Sequence, residues 1–300
     1  MKRTLLPLIA LLAPGLAWAG SPINETKAVN ADATVEITNV KGTVTVTGWD
    51  KSEVGISGTL GDGSRGLTVE GSGSHLSVKV EGPDKTKGWL NWGSDSRMEE
   101  STLDIKVPRK AAVEVNVVSA NVSVSDVAGR SVQVDSVSGR VRLDTSAPRV
   151  HIDAVSGDVE FSGKAEDANI QTVSGDARIS GVGGRVHGET VSGTIRVEAS
   201  QPLRDTSAST VSGDIEIRGS LEKSGRIHVE SMSGDVRLRV PRDTSARLQA
   251  ESFSGTLKSD FGTVHKQEHG PGSNLDVHLG DADGDISIDT FSGDVNVQGE

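Results

Sequence analysis

One seven-letter phrase recurs along most of this chain, and its spacing limits what the chain can fold into. VSGRVRL occupies residues 137 to 143, and VSGDVEF, VSGDARI, VSGTIRV, VSGDIEI, MSGDVRL, FSGTLKS and FSGDVNV begin at Val155, Val173, Val191, Val211, Met232, Phe253 and Phe291. Degenerate copies start at Val118 (VSANVSV) and near Val40 (NVKGTVTV). The turn glycines Gly139, Gly157, Gly175, Gly193, Gly213, Gly234 and Gly255 lie 18 to 21 residues apart, and a 38-residue step to Gly293 leaves room for two periods. Self-similarity at this length belongs to solenoids, whose repeats pack only on their neighbours.

A second phrase shows how each period divides. PRVHIDAV, GRVHGETV and GRIHVESM each run directly into a turn, so every coil holds two short strands. Alternation turns Val132 and Val134, Val150 and Ile152, Val186 and Gly188, Ile227 and Val229 inward on one strand, and Val141 and Leu143, Val159 and Phe161, Ile215 and Ile217 inward on the other. Glu216 then faces solvent. Coils stacked about 4.8 Å apart would close a narrow core. Val137, Leu143, Val155, Phe161, Val173 and Ile179 also keep a six-residue rhythm, but a three-hexapeptide coil fails at its third position, on Arg149, Asp167 and Arg185. A propeller needs about 40 residues per blade, and no period of 3.6 is sustained. The expected fold is all-β, a single parallel β-solenoid of about 18–21 residues and two main strands per coil.

Composition agrees with a core of small residues in regular columns: 36 Gly stand beside four Phe, four Trp and no Tyr. Gly supplies the corner backbone that few other residues adopt. Beside it, Ser136, Thr172, Thr190, Thr210, Ser231, Ser252 and Thr290 form a small-hydroxyl column, expected to stack as a hydrogen-bonded ladder. With no Cys there is no disulfide framework, thiol catalysis or lipid-attachment site.

Residues 1 to 19 read as a secretory signal peptide: Lys2 and Arg3, an apolar run, then Ala17-Trp18-Ala19 before Gly20. Pro7, Pro14 and Gly15 interrupt a run already short for a membrane span. The mature chain is therefore expected in the periplasm, the envelope or the medium, with no span after cleavage. The formal charge is -11, and loss of Lys2 and Arg3 makes it -13, which disfavours nucleic acid and anionic membrane as partners. Residues 20 to 117 keep a looser rhythm with an inserted loop at 83 to 101, continuous with the regular repeats of residues 118 to 300.

The segments NVKGTVTVTGWD and LDIKVPRKAAVEVNVVSANVSV, with its Val107-Pro108 step, followed by serial SGD turns, resemble the DUF4097 adhesin-like proteins of bacteria, related in style to the head-GIN adhesin domains. The resemblance covers about residues 34 to 300. It implies a β-solenoid with a surface or envelope role and carries over no catalytic residue and no cofactor.

Three groups of residues are candidates for chemistry. Asp158, Asp176, Asp214, Asp235 and Asp294 follow the turn glycines. They are either structural turn caps, with Arg142, Arg178, Arg196 and Arg237 compensating, or a calcium row lacking the full glycine-rich nonapeptide of β-rolls. His151 with Asp153, His187 with Glu189 and His228 with Glu230 alternate along one outer face. Successive histidines belong to coils two apart, too distant to share one ion, which leaves a flat polar strip suited to carbohydrate or an envelope protein. Trp89 and Trp92 can stack on sugars or anchor a partner, or cap the end of the core. His265 and His269 have i,i+4 metal-like spacing without a helix to present them.

A polysaccharide-lyase-like enzyme would share the parallel coils, yet it needs long loops that gather catalytic groups in a cleft, and the connections after Val118 are short. The expected function is a non-catalytic adhesive or structural module, with a calcium-binding or carbohydrate-active β-helix as the alternative. The last strand, at Asp294 to Val297, lies near Glu300 and is expected to leave an open rung for self-association.

Overall fold

Alternation along one coil sets the architecture. In strand Asp167–Ser174, Ala168, Ile170 and Thr172 are buried while Asn169, Gln171 and Val173 point outward. Ser174, Gly175 and Asp176 turn the corner, and strand Ala177–Ser180 buries Ala177 and Ile179. The computed structural model describes residues 21–82, 98–266 and 270–300. Over them the chain is all-β, with 23 strands in one long, mostly parallel sheet.

Successive coils meet in register. Asp167 pairs with Arg149 on one side and Arg185 on the other, and Ala177 pairs with Val159 and Ile195. The inward columns read from the sequence are buried as expected, with Phe161 the largest side chain fully enclosed. The glycine corner is needed because coils touch there: Gly175 has φ +139°, and a Cβ on it would sit 2.3 Å from the Gly157 carbonyl oxygen. The early copy near Val40 belongs to the same column, since Gly42 (φ +120°) lies within the long strand Ser21–Trp49 and pairs with Ala120. Both ends of the stack depart from parallel pairing. Glu53–Leu60 runs antiparallel to Ser101–Pro108 and to the start of Ser21–Trp49, and Ser273–Leu279 runs antiparallel to Ala246–Ser254.

The C-terminal coil is not the last rung. Strand Gly284–Ser292 inserts between Leu221–Ser233 and Ala246–Ser254, and Val295–Gly299 inserts between Val236–Val240 and Leu257–Ser259. Val295 and Val297 are core residues, so the expected open edge for self-association at Asp294 to Val297 does not exist. Charge gives a physical reason. In sequence order, Arg226 would face Arg247 and Arg237 would face Lys258. Insertion places Asp285 between the first two and Asn296 between the second, and like charges directly opposite destabilise a sheet. The result is a column alternating Arg149, Asp167, Arg185, Asp205, Arg226, Asp285, Arg247 across neighbouring rungs.

Two further expectations change. The hydroxyl column is buried, but it is a ladder only in part. Thr290 donates to Ser252 (3.4 Å), and Ser231 and Ser252 donate to turn carbonyls of Gly234 and Gly293. The oxygens of Ser136, Thr172, Thr190 and Thr210 have no hydrogen-bond partner among the described residues. Glu216 is outward yet not free: it accepts from Arg196 (3.0 Å) and Arg239 (2.8 Å).

Candidate binding groove

The residue before each Ser-Gly turn is apolar in every copy, and strand parity forces it outward. Counting from buried Ile170, Thr172 points in, so Val173 shares the outer side with Gln171. The same holds at Val118, Val137, Val155, Val191, Val211, Met232, Phe253 and Phe291. These nine are the exposed large hydrophobics among the described residues, from 46% exposed at Val173 to 60% at Met232. Along the stack their order ends Val211, Met232, Phe291, Phe253, because the C-terminal coil is inserted. Phe291 and Phe253 consequently stack face to face, with ring centroids 5.0 Å apart and planes 8° apart.

This apolar column is one wall of a long groove. The floor is the buried hydroxyl column, and the opposite wall is formed by outward residues two positions before each apolar residue. One stretch of about 520 Å³ runs from Thr38 and Asn116 to Val191, and a second of about 590 Å³ runs from Glu189 to Phe253 and Asn274. They share Glu189 and Val191, so the groove is continuous. The polar wall carries Asp135, Asp153, Glu189, Glu230, Asp289 and Glu251, with Gln171 and Ser209 on intervening rungs. Asp135 sits opposite Asp153, and Glu230, Asp289 and Glu251 lie on three consecutive rungs. Among the described residues neither stretch is lined by Lys or Arg.

The polar strip expected from the sequence is half of this site. Asp153, Glu189 and Glu230 line the groove, while His151, His187 and His228 lie one alternation further out and hold those carboxylates from behind. The Nε2 to carboxylate distances are 3.0, 3.8 and 3.0 Å. Gln133 does the same for Asp135 at 3.0 Å. The histidines occupy every second rung, separated by Asn169 and Ser207. Among the described residues no group of three or more metal-ligating side chains comes together.

The turn aspartates have a different task. Asp158 Oδ1 accepts the Asp176 N–H (3.2 Å), Asp176 accepts from Thr194 (3.0 Å), Asp214 from Asp235 (3.0 Å), Asp235 from Asp294 (3.0 Å) and Asp294 from Thr256 (2.8 Å). Each Oδ1 ties its corner to the backbone of the next coil. Asn121 serves Arg140 in the same way. Arg178 neutralises Asp176 (3.2 Å), and Arg237 lies between Asp235 (3.1 Å) and Asp214 (3.6 Å). Elsewhere on the outside, the Arg196 hydrogen bond, aided by the fields of Arg196, Arg239 and Arg237, holds the Glu216 carboxyl below its ordinary range. Arg247 does the same to Asp276.

Trp89, Trp92, His269 and residues 1 to 19 lie outside the described residues. His265 is exposed on strand His265–Lys266. The sequence reading missed the apolar wall, treating the residue before Ser-Gly as part of a corner or a six-residue rhythm. The parity count from Ile170 was the signal that could have found it.

The chain is thus a parallel β-solenoid with a two-walled groove along its length. The chain belongs to the Toastrack DUF4097 family, whose profile matches residues 29–298. Among solved structures it is similar to a "putative adhesin" from Bacteroides fragilis NCTC 9343, at 12% identity and a TM-score of 0.39 over 92% of this chain and 97% of that one. It is also similar to a "putative adhesin" from Parabacteroides distasonis ATCC 8503 (11%, TM-score 0.38, 93% and 98% covered) and a "putative lipid binding protein" from the same strain (13%, TM-score 0.36, 93% and 97% covered). No curated protein matches the chain.

Proposed function

We propose that this chain is an exported, non-catalytic binding module of the cell envelope, and that the groove is its binding surface. The single observation that carries this reading is the line of nine outward apolar side chains. Nothing in the packing of the coil requires them, since the core columns are complete without them. Scattered exposed apolar residues are ordinary, whereas a contiguous strip marks an interaction surface. Adhesive function accords with family membership, and export accords with the charged, apolar and small-residue pattern of residues 1 to 19.

The test has two parts. Fractionation should find the chain, cut before Gly20, outside the cytoplasm; a cytoplasmic chain with its leader intact would sink the export reading. Labelled mature chain should sediment with isolated envelopes, and Phe253→Ser with Phe291→Ser should reduce that retention several-fold without moving the urea midpoint. Equal retention of both proteins overturns the groove as the binding surface.

A further inference from the structure

We infer that the groove takes a basic amphipathic helix of a partner protein, its apolar face against the valine–phenylalanine wall and its Lys or Arg side chains against the carboxylate wall. This rests on the preceding reading of the groove as the binding surface. Two independent features select the occupant: the state of the backbone around the groove and the sign of its charge.

Every strand forming the groove from Ala112–Val127 to Ala246–Ser254 is paired on both sides. An extended peptide lying in the groove would find no free strand edge to pair with among the described residues, and its own backbone groups would be left unsatisfied. A helix brings its backbone hydrogen bonds with it. Its turns also match the wall, advancing about 5.4 Å against a rung spacing of about 4.8 Å, while alternate side chains of a strand advance about 6.6 Å. Nine rungs span about 38 Å, the length of a helix of about 25 residues.

Charge decides the flanks. Elsewhere on this surface carboxylates are matched by arginines, as at Arg185 and Asp167 (2.8 Å) or Arg142 and Glu160. Along the groove they face each other across rungs, at Asp135 and Asp153 and again at Glu230, Asp289 and Glu251, with histidines behind Asp153, Glu189 and Glu230 and no Lys or Arg among the described lining residues. Such opposition destabilises the free protein, and a cationic partner relieves it. A second copy of this chain would set one acidic wall against another at a net charge of -11 per chain. An anionic lipid surface would meet the same repulsion.

The probe is a synthetic peptide of about 18 residues with Leu at i, i+3, i+4 and i+7 and Lys on the flanks. A second peptide carries Glu in place of every Lys, and vesicles of phosphatidylcholine with phosphatidylglycerol form a third arm. Fluorescence anisotropy measures affinity, and far-ultraviolet circular dichroism reads helix appearing against an all-β protein. Nile red, which is neutral, reports the apolar wall alone. The Lys peptide should bind as a helix at least about tenfold more tightly than the Glu peptide, from several exposed pairs acting together. Glu189→Gln with Glu230→Gln and Glu251→Gln should weaken it about tenfold while leaving Nile red fluorescence unchanged. Raising salt from about 0.05 M to about 0.5 M should weaken it similarly.

Equal affinity for Lys and Glu peptides, or preference for the vesicles over the Lys peptide, overturns the basic helix. If Phe253→Ser with Phe291→Ser still lowers Nile red fluorescence in that case, the groove reading survives without it. If no peptide binds and Nile red ignores the phenylalanine variants, both readings fall.

Discussion

Replacing Gly175 by Ala tests whether the coils stack at their corners as closely as described. The added Cβ would lie 2.3 Å from the Gly157 carbonyl oxygen, where ordinary contact begins at 3.4 Å, so the two coils must separate locally by about an ångström. That separation strains Gly157 N–H to Ser174 O (3.0 Å) and Asp176 N–H to Asp158 Oδ1 (3.2 Å). Losing both costs about 1–3 kcal/mol at roughly 0.5–1.5 each, and holding Ala at φ +139° adds about 1–3 kcal/mol. The expected loss is therefore about 2–6 kcal/mol. Gly73 is the control: its φ is +66°, and a Cβ there meets nothing within 4 Å among the described residues. Gly73→Ala retains only the left-handed strain of about 1–2 kcal/mol, and the stiffer unfolded chain offsets both substitutions alike by about 0.4–1 kcal/mol. Urea unfolding followed by circular dichroism compares the two. Equal midpoint shifts would refute the reasoning, because the coil-to-coil clash would then contribute nothing.

Three other outcomes follow from the same packing. Val297→Lys buries an unpaired ammonium and should lower the melting temperature by many degrees without changing molecular mass by light scattering; an unchanged melting temperature would mean the C-terminal coil is not inserted. Glu216 has its pKa lowered by Arg196 and Arg239, so its stabilisation is present above the unfolded carboxyl value of about 4.3 and is lost as pH falls through the lower folded value. Glu216→Gln should therefore flatten the acid limb of stability against pH, and an unaltered limb would remove the ion pair from the account. Because the turn aspartates are engaged with backbone N–H groups, chelator should leave the melting temperature unmoved; a rise above about 10 °C with millimolar calcium would make them ligands instead.

The regular coils were legible because burial in strands such as Arg149–Ser156 and Ile215–Arg218 follows period 2. Val150 and Ile152, or Ile215 and Ile217, need only alternation to be placed. The order of the coils was not legible in the turn motif, which is the same phrase in each copy and pairs equally well with any other. What distinguishes rungs is the outward letters: Arg226 and Arg247 repel, and only a coil carrying Asp285 separates them favourably. The information was present in the sequence, but as a pairing rule between distant coils.

The groove was missed for a related reason. An apolar residue beside a turn is normally assigned to the core, and the carboxylate two positions earlier to a solvated face, so the two walls were judged separately. They form one site because the buried hydroxyl between them, such as Thr172 or Thr190, sets them on the same outer side. Each wall is then repeated by parallel stacking: a single coil presents one apolar and one polar residue, too little to hold anything, and nine coils in register present a continuous amphipathic channel. Coil order matters to it directly. With Gly284–Ser292 inserted, Phe291 meets Phe253 at 5.0 Å, and the aromatic end of the apolar wall exists only through that insertion.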